Sequence, residues 1–355
     1  MGNEAGTRLS VVMPTYNRYE RLSFCLPLLL AQIEQIDELI ILDNNSSDET
    51  WKYLSEVGGD YPSVKIIRNE ANIGPISSLY KGLDAANGDL ISIVPDDDIL
   101  IGPYFKQVKA AFKENSDLGL VMNRFGSIRA NSERSQVTCP PGDDAFLLAF
   151  TFSGTITGIT FKRSALTLFP FPTKKQILYP HIVPALGIST AYSCSLIQSS
   201  GFGPSHWVDD PTTTRITQGR GADMGLCERL SLLQDWDIDE LTRFRCSSRL
   251  TIWAAELFQE IHESSAVEAQ GFLGSIEACF NRTTRMLPIS LARTRWRNSM
   301  STPGELSESP SSPNSRFSDL KGIVFGITQG ILLLMLRHVP RNLLFRKIYR
   351  ATMKQ

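Results

Sequence analysis

Apolar runs of strand length recur along the first hundred residues, separated by helix-length segments. Three apolar runs each lead into a polar segment, at 9–13, 39–42 and 90–94, and a further short strand is predicted at 64–67. Such runs are typical of buried strands. Segments 21–35 and 75–86 carry apolar residues three and four positions apart, which predicts helices. Buried strands that alternate with helices predict an α/β fold with a parallel sheet.

Weaker patterns predict further elements. Ser46 or Ser47 is placed to cap a second helix, whose first turn is acidic. Strands are predicted at 118–123 and 155–161, and the second of these leads into a helix that starts at Lys162. The sequence therefore continues the α/β pattern beyond its first hundred residues, although less regularly.

Composition divides the chain into four predicted segments. Helical apolar spacing runs through 223–287, and 299–318 hold eight Ser and three Pro, a composition typical of a flexible linker. The predicted segments are an α/β domain at 1–220, a helical accessory region at 221–298, a linker at 299–319 and an apolar, basic tail at 320–355.

Three carboxylates stand together where the fourth strand is predicted to end. Asp96, Asp97 and Asp98 follow the apolar run 90–94 after Pro95, and Asp43 follows the run 39–42 directly. Adjacent carboxylates repel one another unless a cation or a ligand compensates them. The carboxyl ends of parallel strands are also where open α/β sheets bind ligands. The triplet Asp96-Asp97-Asp98 therefore predicts a divalent-metal site.

The polar segments at these strand ends resemble the motifs of family 2 glycosyltransferases. The matching segments, in order, are Pro14-Thr15-Tyr16-Asn17, Asp43-Asn44-Asn45-Ser46, Asn69 to Gly74 and Asp96-Asp97-Asp98. The resemblance covers 8–105 and implies the GT-A fold, a Rossmann-like mixed sheet of nucleotide-diphospho-sugar transferases, followed here by a C-terminal helical region. It also implies transfer with inversion. Tyr179-Pro180-His181 further resembles a bacterial subgroup of abequosyltransferase-like enzymes.

The resemblance assigns roles to the acidic triplet. Asp96 would reach the ribose hydroxyls, and Asp97 would contact Mg²⁺ or Mn²⁺. A strict DxD interpretation pairs Asp96 with Asp98 instead, and both alternatives remain open. These metals prefer oxygen ligands, usually one or two carboxylates with substrate phosphates and water. A bound cation would stabilise the charge on the leaving diphosphate.

The resemblance also implies a nucleotide site at the first strand ends. Pro14 and Tyr16 would pack against the base, and Asn44 stands where many relatives carry an Asp that accepts the uracil imino hydrogen. An amide can accept or donate, so the identity of the base stays open. Arg68 and Lys81 would lie near the base or phosphates, unless they are ordinary surface cations. The candidate nucleotide-binding residues are Pro14, Tyr16, Asn17, Asp43, Asn44, Arg68, Asn72, Gly74, Lys81 and Asp96.

The acceptor hydroxyl needs a base that takes its proton. Relatives usually place an Asp 80 to 100 residues after the metal acid, but this chain has no paired acids in that window. His181 is the preferred candidate, because an unperturbed imidazole has a pKa of about 6.5. Asp209 and Asp210 are the next candidates, and Asp143 or Asp144 follow. Alternatively, His181 only shapes the acceptor pocket.

Charge is distributed unevenly along the chain. The net charge is -1, but 321–355 hold seven Lys or Arg and no acid, which leaves -8 on 1–320. After Pro340 the tail predicts a helix with one apolar and one basic face, which suits an anionic membrane surface. The alternative is a tail helix that packs on its own domain. Six scattered cysteines and an N-terminus without signal-peptide character predict a cytoplasmic protein, peripheral at the inner membrane face.

The resemblance and the residues together predict a metal-dependent inverting glycosyltransferase. Its partners would be a nucleotide-sugar donor and a glycan or lipid-linked acceptor, with no nucleic acid. One alternative is a sugar nucleotidyltransferase, which favours a Gly-rich basic loop after the first strand that Pro14-Thr15-Tyr16-Asn17 does not provide. Another is an inactive nucleotide-sugar binder that serves as an assembly partner.

Overall fold

The computed structural model describes residues 7–100, 102–123, 136–154, 156–173, 179–197 and 202–204, with isolated positions between 229 and 250. Spatial clustering divides the chain into two compact units, Met1–Cys246 and Ser247–Gln355. Every strand and helix given below belongs to the first unit. The predicted linker and tail, and nearly all of the predicted accessory region, lie outside the described residues.

The described elements alternate as the sequence predicts for its first hundred residues. The strands are β1 (Leu9–Thr15), β2 (Glu38–Asp43), β3 (Val64–Arg68), β4 (Leu90–Ile93), β5 (Asp98–Leu100), β6 (Leu118–Asn123), β7 (Gln136–Cys139), β8 (Ile159–Lys162), β9 (Ser193–Ile197) and β10 (Phe202–Pro204). The helices are α1 (Tyr19–Leu30), α2 (Thr50–Val57), α3 (Pro75–Ala85), α4 (Tyr104–Glu114), α5 (Asp143–Phe152), α6 (Arg163–Leu168) and α7 (Ile182–Ala191), with a short 3-10 turn at Ile33–Gln35.

Eight of the described strands form one mixed sheet in the order β3-β2-β1-β4-β8-β6-β9-β7. The four strands β3, β2, β1 and β4 are mutually parallel, so their carboxyl ends lie along one edge. β8 runs antiparallel to both β4 and β6, while β9 is parallel to β6. β5 and β10 form a separate antiparallel pair. The predicted α/β class with a Rossmann-like mixed sheet is confirmed.

The core lies on both faces of the parallel half of the sheet. Leu9, Val11 and Met13 of β1 are fully buried in one cluster with Leu22 and Leu26 of α1. Strands covered on both faces by helices read as nearly continuous apolar runs, which is why the sequence revealed them. Full burial of each such side chain stabilises the fold by about 1.5–3 kcal/mol. The strand ends that carry the polar segments are thus held on a rigid base.

Three local predictions were wrong. The first helix ends at Leu30, and a 3-10 turn replaces its predicted last turn. Ser46 and Ser47 do not cap the second helix, which begins at Thr50, whose N–H donates to Asp48 Oδ1 at 3.0 Å. The strand predicted from position 155 begins at Ile159. No helix of the described part is long and apolar enough to cross a membrane.

Candidate active site at the carboxyl edge of the sheet

The ends of β1, β2 and β4 meet at one edge because these strands are parallel neighbours. Thr15, the last residue of β1, stands in register with Asp43, the last residue of β2. The acidic segment follows the end of β4, and Thr15 Oγ1 donates to Asp96 Oδ2 at 2.6 Å. The sheet therefore brings together the acids that the sequence predicted would meet.

Hydrogen bonds join the loop after β1 to the loop after β2. The Asn17 N–H donates to Ser46 Oγ at 2.9 Å, and Asn17 Oδ1 accepts the Ser47 N–H at 2.8 Å. Asn17 has φ +51° and Asn45 has φ +66°, a left-handed conformation that Asn tolerates better than most residues. This pairing explains why Ser46 is not a helix cap: its hydroxyl already serves the neighbouring loop.

Asp96 and Asp98 are carboxyl groups with raised pKa values. Burial raises the pKa of Asp96 to about 6, against the hydrogen bond from Thr15, and the charge of Asp97 adds to the rise. Burial raises the pKa of Asp98 to about 7. The charges of Asp97 and Asp96 raise it further, whereas a hydrogen bond from Thr157 lowers it. The negative charges of Asp96, Asp97 and Asp98 are therefore not fully compensated by positive charge nearby.

Asp97 is the most accessible acid of the three. Its side chain is 38% exposed, and its Oδ2 lies 3.7 Å from Arg18 NH1 in a partly exposed ion pair. Exposed pairs of this kind contribute little to stability, at most about 1 kcal/mol. Arg18 therefore does not hold Asp97 firmly, and the carboxylate can bind another cation.

The donor set of the acidic segment fits Mg²⁺ or Mn²⁺. Its ligands are hard carboxylate oxygens, and the raised pKa values of Asp96 and Asp98 are the response expected where a compensating cation is needed. Within the described ranges, no three acidic, His or Cys side chains form a metal cage by themselves. Carboxylates that share the ion with substrate phosphates need no such cage.

An ion pair between a buried carboxylate and a partly exposed guanidinium anchors the end of β2. Asp43 is fully buried, its Oδ2 lies 3.2 Å from Arg68 Nε, and the Ser46 N–H donates to Oδ1 at 3.1 Å. Arg68 NH2 also donates to the Ser46 carbonyl at 2.9 Å, and its guanidinium carbon lies 4.6 Å from the Trp51 ring centre. Arg68 is thus a structural partner of Asp43 rather than an ordinary surface cation.

Three asparagine amides and Lys81 form a cluster beside that ion pair. Asn44 Oδ1 accepts from Asn69 Nδ2 at 2.9 Å and from the Ile73 N–H at 3.0 Å. Asn44 Nδ2 donates to Asn72 Oδ1 at 2.8 Å. Lys81 Nζ donates to Asn69 Oδ1 at 2.7 Å. We call these four residues with the Asn69–Gly74 loop the amide cluster; it holds Asn72, Gly74 and Lys81 close to Asn44.

Apolar surface at the rim of this edge is exposed. Tyr16 is 41% exposed on the loop after β1, and Ile73 is 44% exposed within the amide cluster. Pro14 is half-buried inside β1. Exposed apolar side chains beside a polar floor are what a flat, amphipathic ligand such as a nucleobase needs.

The family of the chain follows from its sequence. The Glycosyl transferase family 2 model matches residues 10–197, which is more than half of the chain. This protein belongs to glycosyl transferase family 2. The prediction of the family from the strand-end motifs is therefore confirmed.

Curated relatives match only part of this chain. It is 30% identical over 115 residues to the dolichol-phosphate mannosyltransferase of Pyrococcus furiosus, which covers 32% of each chain. It is 33% identical over 95 residues to a GalNAc(5)-diNAcBac-PP-undecaprenol beta-1,3-glucosyltransferase of Campylobacter jejuni, covering 26% of this chain and 31% of the relative. The chain spans about a third of the length of these relatives.

A solved structure supports the fold. The mannosyltransferase PcManGT of Pyrobaculum calidifontis, in complex with GDP-Man and Mn²⁺, has a TM-score of 0.53 at 15% identity. The alignment covers 92% of this chain and 87% of that one. At this identity the likeness shows the fold alone.

His181 is buried and does not lie at an open surface. It is 1% exposed, directly precedes α7, and meets the Tyr179 ring edge-on at 6.1 Å between ring centres. Burial and the nearby Arg229 charge lower the pKa of His181 to about 3. A hydrogen bond with the Ser153 backbone acts in the opposite direction but does not offset them. An imidazole with so low a pKa is a weak proton acceptor at neutral pH, so this geometry gives the His181 prediction little support.

The other candidate bases are placed unequally. Asp143 begins α5, and Asp144 is exposed with its Oδ1 3.2 Å from Arg245 NH1. Asp209 and Asp210 lie outside the described residues. The sequence analysis predicted no individual role for Thr15, Thr157 or Trp51. Thr15 lay inside a recognised motif, whereas Thr157 reaches Asp98 from 59 positions away and carries no sequence signal.

Proposed function

We propose that this family 2 glycosyltransferase transfers a sugar from a nucleoside-diphosphate donor to a hydroxyl of a glycan or lipid-linked acceptor, with inversion and with a divalent metal. The observation that supports this best is the meeting of Asp43, Asp96 and the acidic pair Asp97-Asp98 at one edge of the parallel sheet. An edge with such acids suits a phosphate-bearing ligand that arrives with a cation.

Asp97 and Asp98 would hold Mg²⁺ or Mn²⁺, and Asp96 would bind the ribose. When bound, the ion supplies positive charge that stabilises the leaving diphosphate. Thr15 holds the Asp96 carboxylate in place by its hydrogen bond. Asp97 is the accessible member of the pair, because its side chain is 38% exposed and its contact with Arg18 is long, at 3.7 Å.

The nucleotide would lie across the first strand ends. Tyr16 and Pro14 offer apolar surface to the base, while Asn17, Asp43 and Arg68 shape the floor beneath it. Lys81 and the N-terminus of α3 offer positive charge to phosphate oxygens, as helix N-termini generally do. Gly74 precedes that helix with φ +85° and open space where a Cβ would stand, so glycine serves the backbone conformation there.

Transfer with inversion forms one bond and breaks another on opposite faces of the sugar. The acceptor oxygen bonds to the anomeric carbon as the bond between that carbon and the diphosphate oxygen breaks. The acceptor proton passes to a base of the protein. We assign this base to Asp209 or Asp210, with His181 as the alternative, because the lowered pKa of His181 makes it a weak acceptor.

The acceptor is proposed to be lipid-linked, at the inner face of a membrane. The names of two relatives contain dolichol phosphate and diphospho-undecaprenol, and the basic segment 320–355 would bind anionic lipid beside such an acceptor. We therefore propose that the protein is cytoplasmic and peripheral to the membrane.

A panel of nucleotide-sugars tests the proposal without knowledge of the acceptor. Purified protein is incubated with each donor and with Mn²⁺, Mg²⁺ or EDTA, and release of nucleoside diphosphate by slow hydrolysis is measured. We expect one donor class to react, only with metal. Release of pyrophosphate from a sugar phosphate and a nucleoside triphosphate would instead identify a nucleotidyltransferase. Binding of a donor without turnover, even with candidate acceptors added, would identify an inactive binder.

A further inference from the structure

We propose that Asn44 is a positioning residue: its amide fixes the Asn69–Gly74 loop in front of α3, and its carbonyl is fully used by that loop instead of accepting a hydrogen from the nucleobase. The inference rests on the proposed function, because that function places the donor nucleotide beside this loop. It opposes the expectation from sequence that Asn44 takes over the accepting role of an acid.

The orientation of the amides in the cluster is set by groups that can only donate. The Ile73 N–H points to Asn44 Oδ1 at 3.0 Å, and the Gly74 N–H points to Asn72 Oδ1 at 2.9 Å. The Lys81 ammonium points to Asn69 Oδ1 at 2.7 Å. Each amide therefore has one consistent assignment of its oxygen and nitrogen, and a flip of any of them would bring two donors together.

The acceptor capacity of Asn44 is used up. Its carbonyl oxygen has two lone pairs, and these accept from Asn69 Nδ2 and from the Ile73 N–H. Asn72 Oδ1 likewise accepts two bonds, from Asn44 Nδ2 and from the Gly74 N–H. Asn44 is 3% exposed. Any hydrogen bond that it accepted from a ligand would have to displace one that holds the loop.

An aspartate at position 44 could not make the same set of bonds. A carboxylate could still accept from Asn69 and Ile73, but it could not donate to Asn72 Oδ1, and two oxygens would then face each other. The cluster can still offer N–H groups to a ligand, since Lys81 has three and Asn69 uses one of them. It therefore suits acceptor atoms, such as the oxygens of a nucleotide.

The first experiment measures the loop in the ligand-free protein. Hydrogen exchange is followed for the Ile73 amide in wild type, Asn44→Ala and Asn44→Asp. Asn87→Ala is the control, because the Asn87 amide also makes a side-chain hydrogen bond between loop and strand, to Glu38 at 3.1 Å, but near the opposite ends of the strands. We expect Asn44→Ala to speed exchange at Ile73 on the order of 10- to 100-fold, as loss of a buried hydrogen bond does. Unchanged exchange at Ile73 in Asn44→Ala would overturn the positioning role.

The second experiment asks which role position 44 has toward the nucleotide. Binding of UDP, GDP, CDP and dTDP with Mn²⁺ is measured by calorimetry for wild type, Asn44→Asp, Asn72→Ala and the double variant. We expect Asn44→Asp to weaken binding at least about tenfold, as loss of one buried hydrogen bond can, and to do less harm when Asn72→Ala has removed the opposing oxygen. Equal or tighter binding by Asn44→Asp would show that position 44 accepts from the base, and would overturn the inference. A wild type that binds none of the four would refute the proposed function, while exchange at Ile73 would still decide the role of Asn44.

Discussion

Thr15 donates a hydrogen bond to Asp96 across 81 positions of sequence, and this 2.6 Å contact ties the end of β1 to the acidic segment. Without the Thr15 hydroxyl, the buried Asp96 carboxylate would still be shielded from water but would lose the hydrogen bond that compensates for its burial. The bond therefore fixes the carboxylate that we assign to the ribose.

Thr15→Val should weaken donor binding while it preserves the fold. The substitution keeps the shape of the side chain but leaves Asp96 without its donor, which costs about 1–3 kcal/mol. We expect the KM for the donor to rise about tenfold, with kcat little changed, and Thr15→Ser to retain wild-type kinetics. Thr160→Val is the matched control, since Thr160 donates to Ser92 within the sheet and should alter stability alone. An unchanged KM in Thr15→Val would contradict the role of the bond.

Asp97→Asn should abolish transfer and strongly weaken metal-dependent binding of the nucleoside diphosphate. The fold should survive, because the change removes one of three repelling carboxylates. Mn²⁺ binding, thermal unfolding and turnover are measured together, and Arg18→Gln serves as the control that removes the neighbouring cation. Turnover that persists in EDTA, or full activity of Asp97→Asn, would remove Asp97 from the metal site.

His181 should lower the stability of the protein as pH drops below about 6.5, whereas the raised pKa values of Asp96 and Asp98 act in the opposite direction over the same range. The folded protein holds this imidazole neutral until its pKa of about 3, whereas the unfolded chain takes up a proton near the ordinary value. Between these two values the unfolded state binds more protons, so the free energy of unfolding falls by as much as about 1.4 kcal/mol per pH unit from this group. Above the ordinary pKa the group contributes no pH dependence.

His181→Asn tests this directly, because it cannot titrate. Chemical unfolding at pH 7.5, 6.0 and 5.0 should show that the free energy of unfolding of His181→Asn, relative to that of wild type, increases as the pH falls, because the contributions of Asp96 and Asp98 are common to both proteins. His338→Asn, in the tail segment, should follow the wild-type curve. The same slope in wild type and His181→Asn would show that His181 is not held neutral by burial.

The identity of the proton acceptor can be read from three variants. Asp209→Asn or Asp210→Asn should lower turnover by on the order of 10² to 10⁴, with donor and metal affinity near normal. His181→Ala should leave turnover within about tenfold of wild type, because a neutral imidazole of such low pKa accepts protons poorly. If His181→Ala shows the large loss and both Asp variants do not, the sequence-based preference for His181 is restored.

Deletion of 320–355 should release the protein from anionic vesicles and leave donor hydrolysis nearly unchanged. The seven Lys or Arg of this segment face no acid within it, and each basic residue near such a surface is worth about 1 kcal/mol. High salt should weaken vesicle binding of the full chain as well. Binding that survives the deletion would place the membrane contact elsewhere in the protein.

The sequence predicted the parallel half of the fold well because its strands are buried on both faces. β1, β2 and β4 read as apolar runs with few interruptions, and their ends carry Thr15, Asp43 and Asp96, which the structure brings together. Local signals were sufficient there, since each strand end is followed directly by its polar segment.

Contacts between distant segments were not predictable in the same way. Thr157 donates to Asp98 through a turn before β8, and nothing in its local sequence distinguishes it from other threonines. Gly158, with φ +75°, delays the start of β8 to Ile159 because its backbone is left-handed. Ser46 has the composition of a helix cap, but its hydroxyl accepts from Asn17 on another loop. These features depend on tertiary contacts, which the conformational propensities of single residues do not predict.

The reversed strand β8 separates two sets of parallel strands in the sheet. Because β8 is antiparallel to both β4 and β6, the strands β6 and β9 beyond it point the same way as β1 and β4. The carboxyl ends of β6 and β9 therefore lie at the same edge as the acidic segment, but on the far side of a four-residue strand. A change in the length of the segments that follow β6 or β9 would accordingly leave the strand pairing that positions Asp43 and Asp96 intact.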